Sequence, residues 1–137
     1  MARDPGYLFL YGTLLPGRVP LALRSAAAQL GTPRPAMVRG RLYDLGRYPA
    51  AVPDEGAGCW IRGRVSSYTN GAILTELDRY EGYDPRNPAA SLFVRRQCEA
   101  VLSGGGRLTC WVYAYNRDPG AGRLIRDGVY RGDRLRQ

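Results

Sequence analysis

Between Asn70 and Gly82 the apolar residues recur with helical spacing. At about 100° per residue, Ile73, Leu74, Leu77 and Tyr80 fall on one face, and Thr75, Glu76, Asp78 and Arg79 fall on the other. Glu81 breaks the pattern. It lies four residues after Leu77 and seven after Leu74, so it continues the apolar stripe. A carboxylate pointed at a core costs free energy unless it is paired or used.

The other elements follow from the same reading. Tyr7-Leu8-Phe9-Leu10-Tyr11 is a short apolar run cut off by Gly12 and predicts a buried first strand followed by a turn or functional loop. Pro20 to Leu30 predicts a helix, with Pro20 suited to its first turn and Gly31 to its stop. Strand signals return at Ala36–Tyr43, Cys59–Ser66, Leu92–Leu102 and Leu108–Tyr115, separated by Gly, Pro and Asp clusters. The last two flank Ser103-Gly104-Gly105-Gly106-Arg107 and predict a hairpin. Alternation at Ile61-Arg62-Gly63-Arg64-Val65 turns Ile61 and Val65 inward and the arginines outward. Strands with two inserted helices, without regular β-α alternation, define an α+β domain with a mixed, strongly curved or barrel-like sheet. The tail from Gly120 to Gln137, rich in Gly and Arg, either wraps that sheet or frays.

At 137 residues the chain fits one domain, 1–137. No run of about 18 apolar residues is present, and Met1-Ala2-Arg3-Asp4-Pro5-Gly6 lacks the features of a secretory signal, so a soluble cytoplasmic protein is expected. Three widely spaced cysteines, Cys59, Cys98 and Cys110, indicate neither a disulfide framework nor a zinc site. Histidine and lysine are both absent. That removes Ser-His and Cys-His nucleophiles, Schiff-base chemistry and a P-loop lysine, so any proton transfer must run through Asp, Glu, Tyr or a thiol. The 20 positive charges are all arginine and give a net charge of +8, but they are scattered among the acids. Exposed aromatics interleaved with basic residues, which base stacking requires, are missing, so neither a nucleic-acid partner nor a membrane is expected.

Two places could carry chemistry. The loop Tyr11-Gly12-Thr13-Leu14-Leu15-Pro16-Gly17 follows a buried strand, and its main-chain N–H groups could cradle a carboxylate or phosphate; an ordinary strand-to-helix connection would have the same composition. Glu81 is either a desolvated acid/base or the end of a frayed turn that reaches solvent, Arg79 or Arg86. Other acids are poorer candidates: Glu76 and Asp78 lie on the polar face, Glu55 is in a Pro/Gly loop, Glu99 is in a strand, and Asp44 is placed to form a turn. Tyr113 and Tyr115 alternate with Ala114 and share a face that could place one hydroxyl in a cavity, and Tyr115 is assigned to the substrate pocket; Tyr130 could cap that pocket from the tail.

Three blocks together resemble the γ-glutamylcyclotransferase-like (AIG2-like) family. They are Tyr11-Gly12-Thr13-Leu14, Gly40-Arg41-Leu42-Tyr43-Asp44-Leu45-Gly46-Arg47-Tyr48-Pro49-Ala50, and Leu77-Asp78-Arg79-Tyr80-Glu81-Gly82-Tyr83. The resemblance runs from Tyr7 to Tyr130. It implies a small mixed β-barrel flanked by helices, with the active site at one end. It also implies that Tyr11, Gly12, Thr13 and Leu14 hold the α-carboxylate of a γ-glutamyl group, that Glu81 is the catalytic acid/base, and that no cofactor or metal is used. Phe93 stands where relatives often have a tyrosine before an arginine, here Arg95 or Arg96, and Arg64 replaces a common glutamate after Gly63; neither is among the implied catalytic groups.

The implied reaction suits a chain so poor in nucleophiles. In a γ-glutamyl amide the substrate's own α-amine attacks the γ-carbonyl, forming 5-oxoproline and expelling an amine, so proximity supplies much of the rate. One carboxylate can take the ammonium proton and return it to the leaving amine. The expected partner is thus a small γ-glutamyl substrate, on a monomer or homodimer, with the leaving amine open. A non-catalytic domain holding a small carboxylate on the same scaffold is the alternative; a buried negative charge beside an anion pocket argues against it.

Overall fold

The computed structural model describes residues 5–12, 19–120 and 122–131. Seven strands are present among them: β1 (Gly6–Leu10), β2 (Arg34–Asp44), β3 (Pro49–Pro53), β4 (Trp60–Tyr68), β5 (Phe93–Leu102), β6 (Arg107–Tyr115) and β7 (Arg123–Leu124). Five of them close a barrel in the order β2-β4-β1-β6-β5, because β5 returns to pair with β2. The pairings are antiparallel except β1 with β6, where Leu8 meets Trp111 in parallel. The α+β barrel expected from the sequence is therefore what the chain forms.

The eleven residues of β2 serve two sheets. Its first half pairs with β4 and β5, and Gly40 to Asp44 pair with β3. Gly40 marks the change of partners. Its φ is +152°, and a Cβ there would sit 2.5 Å from the Val52 carbonyl oxygen, so a side chain would push β3 off. β3 lies outside the strand signals of the sequence, and a proline stands at each of its ends. The strand survives because it is bonded only at the rim of the barrel.

Alternation in β4 is as expected, with Ile61 and Val65 buried and Arg62 and Arg64 exposed. They join Phe9, Val38, Leu42 and Val112 in the barrel interior. A second cluster outside the barrel wall gathers Leu8, Leu10, Leu23, Leu77, Phe93 and Tyr113 under the helices.

The predicted first helix is shorter than its sequence pattern. A 3-10 turn at Leu21–Leu23 precedes α1 (Arg24–Ala28). Gly31 then approaches β4 so closely that a Cβ would meet Ser67 Oγ at 2.3 Å, and its N–H donates to the Ser67 carbonyl at 2.8 Å. The tail wraps and does not fray over 122–131. β7 pairs with Tyr43 and Asp44, the Arg62 N–H donates to the Gly128 carbonyl, and Gly128 lies against Trp60 where no side chain fits.

Candidate active site

Helix α2 (Ala72–Glu81) is built as its sequence specifies. Asn70 Oδ1 accepts from the Ala72 N–H at 3.0 Å and satisfies a free donor of the first turn. Gly82 ends the helix at φ 73°, with the Tyr83 N–H bonded back to the Asp78 carbonyl at 2.8 Å. Glu81 is thus the last helical residue, held by a defined cap and not by a fraying turn.

The buried face is rotated from the one read in the sequence. Ile73 and Leu77 are fully buried, but Tyr80 is 47% exposed and Asp78 only 7%. The stripe is centred between Leu77 and Glu81, which leaves Tyr80 at its edge and draws Asp78 inward. Asp78 therefore does not belong to the polar face. Arg95 on β5 reaches it through Nε at 2.8 Å and Nη2 at 3.2 Å, and the Tyr113 hydroxyl donates to Oδ1 at 2.7 Å. Arg95 in turn lies over the Trp111 ring, 4.4 Å from its centre. Every demand of that carboxylate is met.

Glu81 is the reverse case. It lines a cavity of about 310 Å³ together with Tyr11 and Gly12 from the end of β1, Arg47 and Tyr48 from the β2–β3 turn, and Phe93 and Tyr113. Its carboxylate has no hydrogen-bond or ion-pair partner among the described residues. Burial raises its pKa from 4.5 to about 7. Neither Arg79 nor Arg86 pairs with it.

The sequence-derived candidates are thereby sorted. Tyr11 and Gly12 meet Glu81 at the same cavity. The Tyr11 hydroxyl donates to the Tyr113 carbonyl at 2.5 Å; burial, and then the charge of Glu81, hold its pKa well above the usual tyrosine value. Thr13 and Leu14 lie outside the described residues. Tyr115 is not brought to the cavity: it packs behind Phe93, with ring centres 5.5 Å apart, and Tyr113 on the same strand takes the lining position instead. Burial and the bond to Asp78 raise the Tyr113 pKa too, so its hydroxyl stays protonated. Tyr130 packs on the barrel core without lining the cavity, placed so that a side chain at Gly12 would meet its ring at 3.7 Å. Phe93, set apart in the sequence from the catalytic groups, does line it. Asp44 forms a turn as expected, accepting from the Gly46 N–H at 2.8 Å.

Two contributors were missed. Asp78 was hidden by the polar-face reading, and its only sequence signal was adjacency to Leu77 in the Leu-Asp-x-Tyr-Glu-Gly block. Arg47 sits in the second block of the resemblance, where nothing local distinguishes it from the other exposed arginines.

The small barrel thus carries, in the wall of this cavity, a half-buried glutamate that no described residue pairs. The chain belongs to the γ-glutamyl cyclotransferase, AIG2-like family, whose model matches residues 8–132. Similar solved structures include an AIG2-like protein from Mus musculus (17% identity, TM-score 0.68, 93% of this chain and 89% of that one). Another is ytfP from Escherichia coli (24%, TM-score 0.63, 93% and 98%). YkqA from Bacillus subtilis is similar over 96% of this chain (18%, TM-score 0.69), which spans only 42% of YkqA. At these identities the likeness is one of fold. No curated protein sequence matches the chain.

Proposed function

We propose that the protein is a γ-glutamyl cyclotransferase in which Glu81 is the general acid/base. The observation that carries this is the state of Glu81: a carboxylate without a described partner, at a cavity, with its pKa raised to about 7. A group with that pKa holds and gives up a proton near neutrality. Its position at the C-terminal end of α2 disfavours the charged form further.

The reaction needs no other group to bond with substrate. The α-ammonium of the γ-glutamyl unit gives a proton to Glu81, and the freed amine attacks the γ-carbonyl carbon. A new C–N bond closes the five-membered ring. Glu81 returns the proton to the departing nitrogen as the amide C–N bond breaks, and the second proton of the attacking nitrogen then passes by the same carboxylate to the released amine, giving 5-oxoproline with a single ring N–H and an ammonium product. Proton and electron pairs balance with no co-reactant. The end of β1 at Tyr11 and Gly12, with Thr13 and Leu14 beyond it, is proposed to hold the α-carboxylate. Tyr113, fixed as a donor to Asp78, shapes the wall beside Glu81 and does not exchange protons.

The test is Glu81→Gln, assayed for 5-oxoproline release from a panel of γ-glutamyl amides. Turnover is expected to fall by about 10²–10⁴ with substrate binding retained. Wild-type turnover in the variant, or no release of 5-oxoproline by the wild type from any panel member, overturns the reading.

A further inference from the structure

Strand pairing gathers arginines that the sequence scatters. Ile61 and Val65 of β4 point into the barrel, so Trp60, Arg62 and Arg64 lie on its outer face. Directly opposed residues of a sheet share a face, and the register runs Arg62, Met37, Val101, Arg107 across β4, β2, β5 and β6. Two residues before Arg62, Trp60 is opposite Arg39, whose guanidinium lies over the indole, 4.3 Å from the ring centre. Arg62 and Arg64 are exposed and have no ion pair among the described residues, and Arg107 is paired with Glu99 at 3.0 Å. The pairing of β2 with β5 stops at Val38 and Ala100. Beside that point a groove of about 580 Å³ opens, lined from β2 by Val38 and Arg39, from β4 by Trp60, and from β5 by Arg96, Cys98 and Glu99. It shares no lining residue with the cavity of Glu81.

We propose that this face binds single-stranded nucleic acid, with a base in the groove and phosphates on the arginines of β4. Arg62 and Arg64, two residues apart on one strand, project roughly 7 Å from each other, close to the phosphate repeat of an extended single strand. Asp127 is near enough to Arg62 to interact with its charge, but it is already paired with Arg131. The base belongs in the groove because Arg39 and Trp60 form a planar stack in its wall, and bases stack on guanidinium and indole planes alike. A phosphate is kept out of it by Asp54, Glu55 and Glu99, which also line the groove. Asp54 and Glu99 are held by Arg41 and Arg107, which leaves Glu55 to accept from an exocyclic amino group such as that of cytosine. The same three acids disfavour an acidic peptide. A lipid surface finds no apolar anchor here, since Met37, Trp60 and Val101 are only half-exposed between the arginines.

The probe is a fluorescein-labelled oligocytidylate of about twelve nucleotides, titrated with the full chain and read by fluorescence anisotropy over a range of salt concentrations. Saturable binding at low salt is expected. Combining Arg62→Gln with Arg64→Gln should weaken it about tenfold and make the slope of log K against log salt shallower by about 1.4, the contribution of two phosphates on a single strand. Trp60→Leu should also lose about tenfold but leave the slope unchanged, because stacking releases no counterions. Circular dichroism checks that each variant is folded, and Trp60→Phe, which keeps a smaller ring, should lose about threefold if the leucine variant is not. Arg24→Gln combined with Arg86→Gln removes two exposed arginines away from this face, on α1 and after α2, and should leave affinity within about twofold. An equal loss in that control pair overturns the proposal, since the binding would then be diffuse charge. So does absence of binding at low salt, or binding of cytidine monophosphate as tight as that of the oligomer. Displacement by polyglutamate or by phosphatidylglycerol vesicles as effective as by unlabelled oligomer overturns it too.

Discussion

Asp78 and Glu81 are three residues apart on one helix, Asp78 buried and Glu81 half-buried in a cavity wall. Asp78 meets a bidentate arginine and a tyrosine hydroxyl, whereas Glu81 meets neither. The difference separates a carboxylate that holds the structure from one free to do chemistry. Partners hold Asp78 in place, so it joins α2 to β5 and β6. Desolvation without partners leaves Glu81 poised to change charge. The pair also explains how an unpartnered carboxylate can be held in an apolar wall: the firmly bonded residue one turn earlier fixes the helix that carries it.

Exchanging the two environments by mutation should break the contrast. The largest effect is expected from Glu81→Gln, a loss of about 10²–10⁴ in turnover, whereas Asp78→Asn should lower activity only through loss of structure. Asp78→Ala, which leaves the half-buried Arg95 guanidinium without its carboxylate, should cost about 1–3 kcal/mol of stability in a denaturant titration. Glu81→Gln should do the opposite above neutrality. The folded pKa of about 7 lies above the unfolded 4.5, so the stability linked to Glu81 protonation is fully present below pH 4.5 and gone above about pH 7. The variant, which has no proton to lose, should therefore be more stable than the wild type at pH 8, by at most about 3 kcal/mol, with the margin vanishing toward pH 4.5. Equal stabilities at pH 8 would mean that Glu81 is solvated. Tyr113→Phe, removing one of the three bonds to Asp78, should cost about 1–3 kcal/mol. The acid limb of the kcat/KM profile should fall at about pH 7 in the wild type, and an inflection near 4.5 would remove the acid/base assignment.

Much of this contrast could be read from the chain, and the part that could not has a physical reason. Glu81 was visible because periodicity within ten residues of helix is local information, and so were the hairpin of β5 and β6 and the alternation in β4. Asp78 was not, because what buries it is Arg95, on a strand packed from across the site. Helical phase alone leaves the edge of a stripe undetermined, and here the edge exchanged Asp78 for Tyr80. β3 was missed because Pro49 and Pro53 forbid a central strand and permit one at the rim. Choosing between Tyr113 and Tyr115 required knowing which residues of β6 curve toward α2, and that depends on barrel closure.

That closure fixes when the site can exist during folding. The Tyr11 hydroxyl waits on the Tyr113 carbonyl, 102 positions later, and β1 meets β6 in parallel across the same span. Loop closure over such distances must precede any reward from the contacts, which places the protein among slow, topology-limited folders, with refolding on the order of milliseconds to seconds in stopped-flow mixing. A ribosome that has released the first hundred residues has therefore delivered Glu81 and its helix without the β6 wall that helps to desolvate it. The raised pKa of Glu81 thus arrives only with the sixth strand, so that a half-made chain carries an ordinary solvated carboxylate there.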